Sequence, residues 1–474
     1  MAALVHLMVG ARSAGPAALI TPVARTAVIA LLAGLVAAPA LAQSAVPRLP
    51  VSNPLVNSAI GANQGGRNVS NDDDELDGGG AAGLQGYPGR GFVINGRLVS
   101  RYDNNLSRQA IKDDGMRVRP SVDASVGLGS GRIGIYGVGM LGRDFVFGNQ
   151  RLQGRDRHSY GGGVTARLSR CTLDAGASYR RTLSFQSELV AFGVLEQGTG
   201  LVGANIQCRI TSALVASTSV TKGDTSIVRG ETSAFDSNRM VYAGGLQLSR
   251  PALGTVSIDG SITDVVLTGR QVLTPDGLVD DGLKQRSLRL GFARPIGDRI
   301  NIALGASFLD TQPTATTNLI IVDGIVQVVD RDGFRGGGYD ARIDLRPTPR
   351  LSLGFGANRG IRSNNFAGAR MILADTIEAD VSYQLGRSLS VSASYQQRRT
   401  SFLGTVVTAV EPLRRDGDLF RRYGARMKAN LGRVLELALE VNHNSRTSNP
   451  ATFNFDSTGV GLVLGFKLGK QGVR

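Results

Sequence analysis

Apolar and polar residues alternate along most of this chain with a period of two. The clearest stretch runs from Thr458 to Gly469. Val460, Leu462, Leu464, Phe466 and Leu468 point one way there, and Gly459, Gly461, Val463, Gly465 and Lys467 the other. Alternation of this kind marks a strand with one apolar and one polar face. Similar strands recur from Phe92 onward, joined in pairs by very short turns. These turns are Ser130-Gly131, Arg170-Cys171, Thr211-Ser212, Arg250 to Gly254, Pro295 to Asp298, Pro347 to Pro349, Gly386-Arg387 and Gly432-Arg433. Gly supplies positive φ at such turns, Pro a fixed φ, and Asp or Ser a local hydrogen bond. Longer polar connections separate the pairs, among them Gly148 to Arg157, Thr274 to Gly282, Thr311 to Gly333 and Gly404 to Asp418.

Short turns alternating with long loops are the pattern of an outer-membrane barrel, in which the short side is periplasmic. The eight hairpins, a first strand at Phe92 to Asn104 and the last at Thr458 give 18 strands, or 16 if the Asn364 to Ile377 region divides differently. The fold class is therefore all-β: a transmembrane antiparallel up-and-down barrel over residues 91–469, with 470–474 as a tail. The turn spacing, about 40 residues, also suits a propeller, but a blade needs four short strands where this chain has two long ones.

The first 42 residues stand outside this pattern. Arg12 and Arg25 form a basic region, Ala27 to Ala38 an apolar one, and Ala40-Leu41-Ala42 a small-x-small cleavage site. That is a signal peptide, and its apolar core is too short for a membrane anchor. Residues 43–90 lack periodicity and carry an acidic run at Asn71-Asp72-Asp73-Asp74-Glu75, which reads as a flexible periplasmic arm. No later run is apolar enough for a transmembrane helix, and mean hydropathy is only −0.01. Alternating strands hide a membrane signal in just this way. The 63 glycines follow no strict triplet, which excludes collagen.

The net charge of +15 falls to +13 once Arg12 and Arg25 are removed, leaving 51 basic against 38 acidic residues. For an exported chain this points to outer-membrane lipid, lipopolysaccharide phosphates, an anionic polysaccharide or small anionic solutes, and away from nucleic acid; a periplasmic export partner is a separate expectation. Val122, Ala124, Val126, Ile258, Ile262, Leu304, Leu353, Phe355, Leu437 and Leu439 define the apolar face. The opposite face carries Arg119, Arg167, Arg180, Arg289, Arg342, Arg398, Arg422, Arg426 and Lys428, together with Asp123, Asp174, Asp344, Glu378, Asp380, Glu436 and Glu440. Charge on a lipid face costs ~2–4 kcal/mol at mid-depth, so that face is the lumen. Two readings of its arginines stand side by side: an anion pathway, or a ladder of Arg–carboxylate pairs that stiffens the wall.

A second basic group, Arg132, Arg170, Arg250, Arg294, Arg299, Arg350, Arg387 and Arg433, lies at the short turns and forms a periplasmic ring. It either guides an acidic polymer or snorkels to lipid phosphates. Tyr160, Tyr179, Tyr242, Tyr339, Tyr395 and Tyr423 suit an interfacial belt. Cys171 and Cys208 fall on neighbouring strands, and a disulfide forms if the register sets them opposite. No C-x-x-C occurs, and neither a metal nor a cofactor is expected. The mature chain holds two histidines, His158 and His443. Ser159 beside His158 points to the other strand face, so no dyad forms and the chain does not read as an enzyme. Gly137 to Gly142 matches a dinucleotide pattern by letters only, since no helix follows.

Tyr102-Asp103-Asn104-Asn105, ending the first strand, and Arg117-Val118-Arg119-Pro120-Ser121, opening the next, resemble the β-barrel porin family of Gram-negative exporters. The likeness spans about Gly91 to Gly469 and departs from the family in lacking Trp. It implies an outer-membrane channel, and members similar to this chain are linked to exopolysaccharide or capsule secretion. Three functions follow. The first is a channel for an anionic substrate, above all an exported polysaccharide. The second is a general or anion-selective diffusion porin, whose constriction would be the Asn318 to Val329 hairpin around Asp323-Gly324. The third is a structural barrel or adhesin that transports nothing.

Overall fold

In the computed structural model each alternating stretch becomes a strand. The structure describes residues 91–106, 112–130, 132–148, 154–185, 194–229, 236–322, 325–363, 369–405, 417–449 and 451–471. All lie in one compact unit, Ser52–Arg474. The signal-peptide and arm expectations, residues 1–42 and 43–90, fall outside the described residues.

The chain begins with β1 (Gly91–Asp103), β2 (Gly115–Ser130), β3 (Ile133–Phe147), β4 (Arg155–Leu168), β5 (Cys171–Phe185), β6 (Val194–Arg209) and β7 (Leu214–Arg229). It continues through β8 (Ser237–Arg250), β9 (Gly254–Thr274), β10 (Gly277–Ile296) and β11 (Ile300–Pro313), then a small hairpin of β12 (Thr317–Val322) and β13 (Ile325–Asp330). It ends with β14 (Phe334–Thr348), β15 (Leu351–Ser363), β16 (Ala369–Gln384), β17 (Leu389–Thr405), β18 (Gly417–Leu431), β19 (Leu435–Asn449) and β20 (Phe455–Gln471).

Leaving out the β12–β13 hairpin, the strands form one 18-stranded antiparallel sheet. β1 pairs with β2 on one side and β20 on the other, with Gly91 opposite Gln471 and Asp103 opposite Gly459, so the sheet closes. The count of 18 is the one the hairpin pattern predicts. Strands ~4.8 Å apart and tilted by ~40° close at this number into a cylinder roughly 35 Å across between backbones. Short connections join the strands at all eight predicted places, although Gly131 of the first lies outside the described residues. Gly297 and Gly432 supply the left-handed conformation in two of them, at φ 60 and 75. Thr274 to Gly282 was expected as a polar loop. Instead β9 and β10 run on as strands to a tight turn, because Val272 and Val279 keep the alternation going past a register shift at Asp280/Asp281.

The outward face is apolar over the short-turn half of the barrel. Leu128, Ile135, Val202, Ile258, Leu288, Leu304, Phe355, Leu439 and Leu462 are exposed there. A surface of this kind is unfavourable in water and suits hydrocarbon. Tyr160, Tyr179, Tyr242 and Tyr423 each lie eight residues from the short-turn end of their strands. That is roughly 20 Å along the barrel axis, near the edge of a ~25 Å apolar band. Beyond this level the outward face becomes charged, with the pairs Lys284–Asp264 at 3.7 Å, Arg335–Asp310 at 3.2 Å and Arg359–Asp375 at 3.6 Å.

Candidate functional site

Residues directly opposite in an antiparallel ladder share a face, so register assigns the lumen. Arg119, Arg167, Arg180, Arg289, Arg342, Arg398, Arg422, Arg426 and Lys428 all lie on the face opposite the exposed apolar positions. Their surroundings differ. Arg342 donates to Asp344 at 2.9 Å, Glu378 at 2.9 Å and Asp380 at 3.2 Å. Arg289 forms a two-pronged bond to Asp340 at 2.8 and 2.7 Å and lies 3.6 Å from Asp259. Arg426 meets Glu436 and Glu440, both at 3.2 Å, and Lys428 meets Glu436 at 2.6 Å. Arg119 is buried on Asp144 at 2.5 Å, and Arg398 stacks over the Phe420 ring at 5.1 Å. Arg422 is buried. Arg180 also has a partner. Among the described residues, Arg167 has no side-chain partner, nor do the inward Arg209 and Lys467, which alternation also places on this face, and Arg97, which it did not single out.

The lumen has two levels. In the long-loop half, inward side chains pack on one another. Asp103, Asp144, Thr263, Val265, Thr376, Phe420, Asn444 and Ser457 are all buried. At this level of the barrel Val265, Leu267, Leu283, Leu309, Ile361 and Met371 also form an apolar cluster, with Phe334 and Leu403 against it. Beside it, Arg398, Phe420, Phe455 and Arg446 stack as a column of guanidinium groups and rings. In the short-turn half, Arg289, Asp340, Arg342, Glu378 and Asp380 keep 32% to 45% of their side-chain surface open. Water therefore reaches the charged wall at one end and is largely displaced by side chains at the other.

Glycines lie beneath the charged network. A Cβ at Gly354 would stand 2.5 Å from Asp380 Oδ1 and 2.7 Å from Arg342 Nη2; one at Gly305 would stand 2.3 Å from Asp340 Oδ1. The long side chains lie flat across these bare positions instead of projecting into the lumen. Alternation shows which face a glycine occupies but not which neighbour leans over it, so this arrangement was not readable beforehand.

The Tyr102 to Asn105 segment closes the cylinder. Asp103 accepts from Arg101 at 2.8 Å, from the Asn105 amide at 2.9 Å and from the Ser457 hydroxyl at 2.7 Å. Asn104 exchanges bonds with Thr458, and Asn105 Nδ2 donates to the Asp456 carbonyl at 3.0 Å. Arg101 also reaches Asn442 on β19 at 3.0 Å. The motif singled out in the sequence is thus a polar clasp between the first and last strands.

Residues 332–468 match the family described as "Putative beta-barrel porin 2". Over that stretch the chain is similar to this family, and its strands form a closed 18-stranded antiparallel β-barrel. Among solved structures it is similar to Pseudomonas aeruginosa OccK2 (OpdF), with a TM-score of 0.46 and 10% identity over 81% of this chain and 98% of that one. It is also similar to a BenF-like porin from Pseudomonas fluorescens Pf-5, with a TM-score of 0.44 and 11% identity over 80% and 99%. No curated protein matches the chain significantly.

In this barrel the basic ring is at the short-turn end. Arg132, Arg170, Arg299, Arg350, Arg387 and Arg433 lie in the turns themselves, and Arg250 and Arg294 on the adjoining strand ends. Cys171 and Cys208 are direct partners in the β5–β6 ladder and form a disulfide. His158 and Ser159 take opposite faces: His158 stacks outside on Tyr160 and Tyr179, whereas Ser159 is buried inside. The Asn318 to Val329 segment forms a hairpin, β12 and β13. Its base is tied down by Asp281, which accepts from Arg270 at 2.6 Å and Arg331 at 2.5 Å.

Proposed function

We propose that this barrel is a diffusion channel for small hydrophilic solutes, with a weak preference for anions. The observation that carries this reading is the two-level lumen. Its short-turn half offers a water-reached charged wall, and its long-loop half is narrowed by packed inward side chains such as Asp144, Thr263 and Phe420. Small solutes fit such a path better than a hydrated polymer does, so exopolysaccharide secretion gains no support from it. The expected anion preference is weak because Arg289, Arg342, Arg426 and Lys428 are engaged by carboxylates. The contribution left over comes from Arg97, Arg167, Arg209 and Lys467.

Purified protein in planar bilayers tests this. The expected result is discrete conductance steps and a reversal potential in a salt gradient shifted modestly toward anions. Replacing Arg97, Arg167, Arg209 and Lys467 together by Gln should bring the shift near zero. Absence of steps would overturn the channel reading. Steps without any shift would overturn the anion preference alone.

A further inference from the structure

The longest strands, β9 and β10, and the β12–β13 hairpin project at the long-loop end, and β12 packs against β9. Their charges are sorted. Both basic residues of the projections, Arg270 and Arg331, turn inward onto the buried Asp281. The acids Asp276, Asp280, Asp330 and Asp332 are all exposed, with no partner among the described residues. A chain carrying +15 overall thus presents an acidic tip at this end.

The same tip has an open strand edge. Among the described residues β13 pairs only with β12. Ile325, Val326 and Val328 are exposed by 64%, 60% and 60%, which places aliphatic side chains on both faces of β13. Leu273 and Leu278 add exposed aliphatics at the β9–β10 turn. Proteins ordinarily blunt an edge strand with Lys, Pro or a bulge. From Ile325 to Val329 this strand has none of these. The Asp281 tie holds the hairpin base in place, so the edge is offered in fixed form.

We infer that β13 is a docking edge for an extended cationic peptide segment with alternating aliphatic residues. Such a partner would add as a third strand beside β13, bonding through its main chain. Its aliphatic side chains would cover Val326 and Val328, and its lysines or arginines would meet Asp280, Asp330 and Asp332. A second copy of this chain fits less well, because two acidic tips would face each other. On the outer-membrane reading the long-loop end faces outward, so the partner comes from outside the cell.

The test uses full-length protein refolded in zwitterionic detergent, free of lipopolysaccharide, and a fluorescent peptide of alternating Lys and Val. Anisotropy should show saturable binding that weakens as salt rises. N-methylation of alternate peptide amides should weaken it about tenfold or more. So should Val326→Ser with Val328→Ser in the protein. Asp276→Asn, Asp280→Asn, Asp330→Asn and Asp332→Asn together should weaken it several-fold and remove the salt dependence. Circular dichroism of each variant should match the parent. The idea is overturned by absence of saturable binding, by equal binding of the N-methylated or a Glu–Val peptide, or by indifference to the valine changes. Light scattering that shows a dimer abolished by those changes would overturn it in favour of a second copy.

Discussion

Asp103 shows what one side chain contributes when water is excluded. It is 2% exposed, and its acceptor sites serve Arg101, Asn105 and Ser457. Removing the carboxylate takes the counter-charge of this pair from the buried Arg101 guanidinium, a change that costs about 3–5 kcal/mol. Asp103→Ala should therefore lower stability by about that amount in urea titrations of vesicle-inserted protein. Asp156, 69% exposed in its pair with Arg143, provides the contrast. Asp156→Ala should change stability by less than about 0.5 kcal/mol. The identity of the Tyr102 to Asn105 segment as a motif was legible in the sequence, but its work was not. The groups it joins, Asp103 and Ser457, are separated by 354 residues, and no local pattern announces such a meeting.

Strands are the scale at which the sequence was most informative. Alternation assigned the lumen and lipid faces, and the turn residues gave the count. Cys171 and Cys208 could be placed on one face but not in register, because register depends on strand shear and not on period. Their disulfide staples the β5–β6 hairpin across 37 residues. Replacing both by Ser should cost about 2–4 kcal/mol in the same urea titration and leave conductance unchanged. The glycines beneath the charged network predict the reverse. A side chain at Gly354 must displace Arg342 or Asp380 toward the lumen. Gly354→Val should thus reduce single-channel conductance, whereas Gly360→Ala, at a position with open space around it, should not. Equal conductance in both variants would mean that the lumen is not lined as described.

At the scale of the whole molecule, a barrel is finished only when its first strand meets its last. β1 pairs with β20 along its whole length, from Gly91 opposite Gln471 to Asp103 opposite Gly459. Contacts this distant in sequence are slow to form, since a long loop must close before they bring any gain. Until the final 17 residues of β20 are available, β1 and β19 both have unsatisfied edges that invite pairing with other chains. The vulnerable interval therefore lasts until β20 is in place. A message truncated before Phe455 would yield a nearly complete wall with two adhesive margins, more hazardous to the cell than a short fragment.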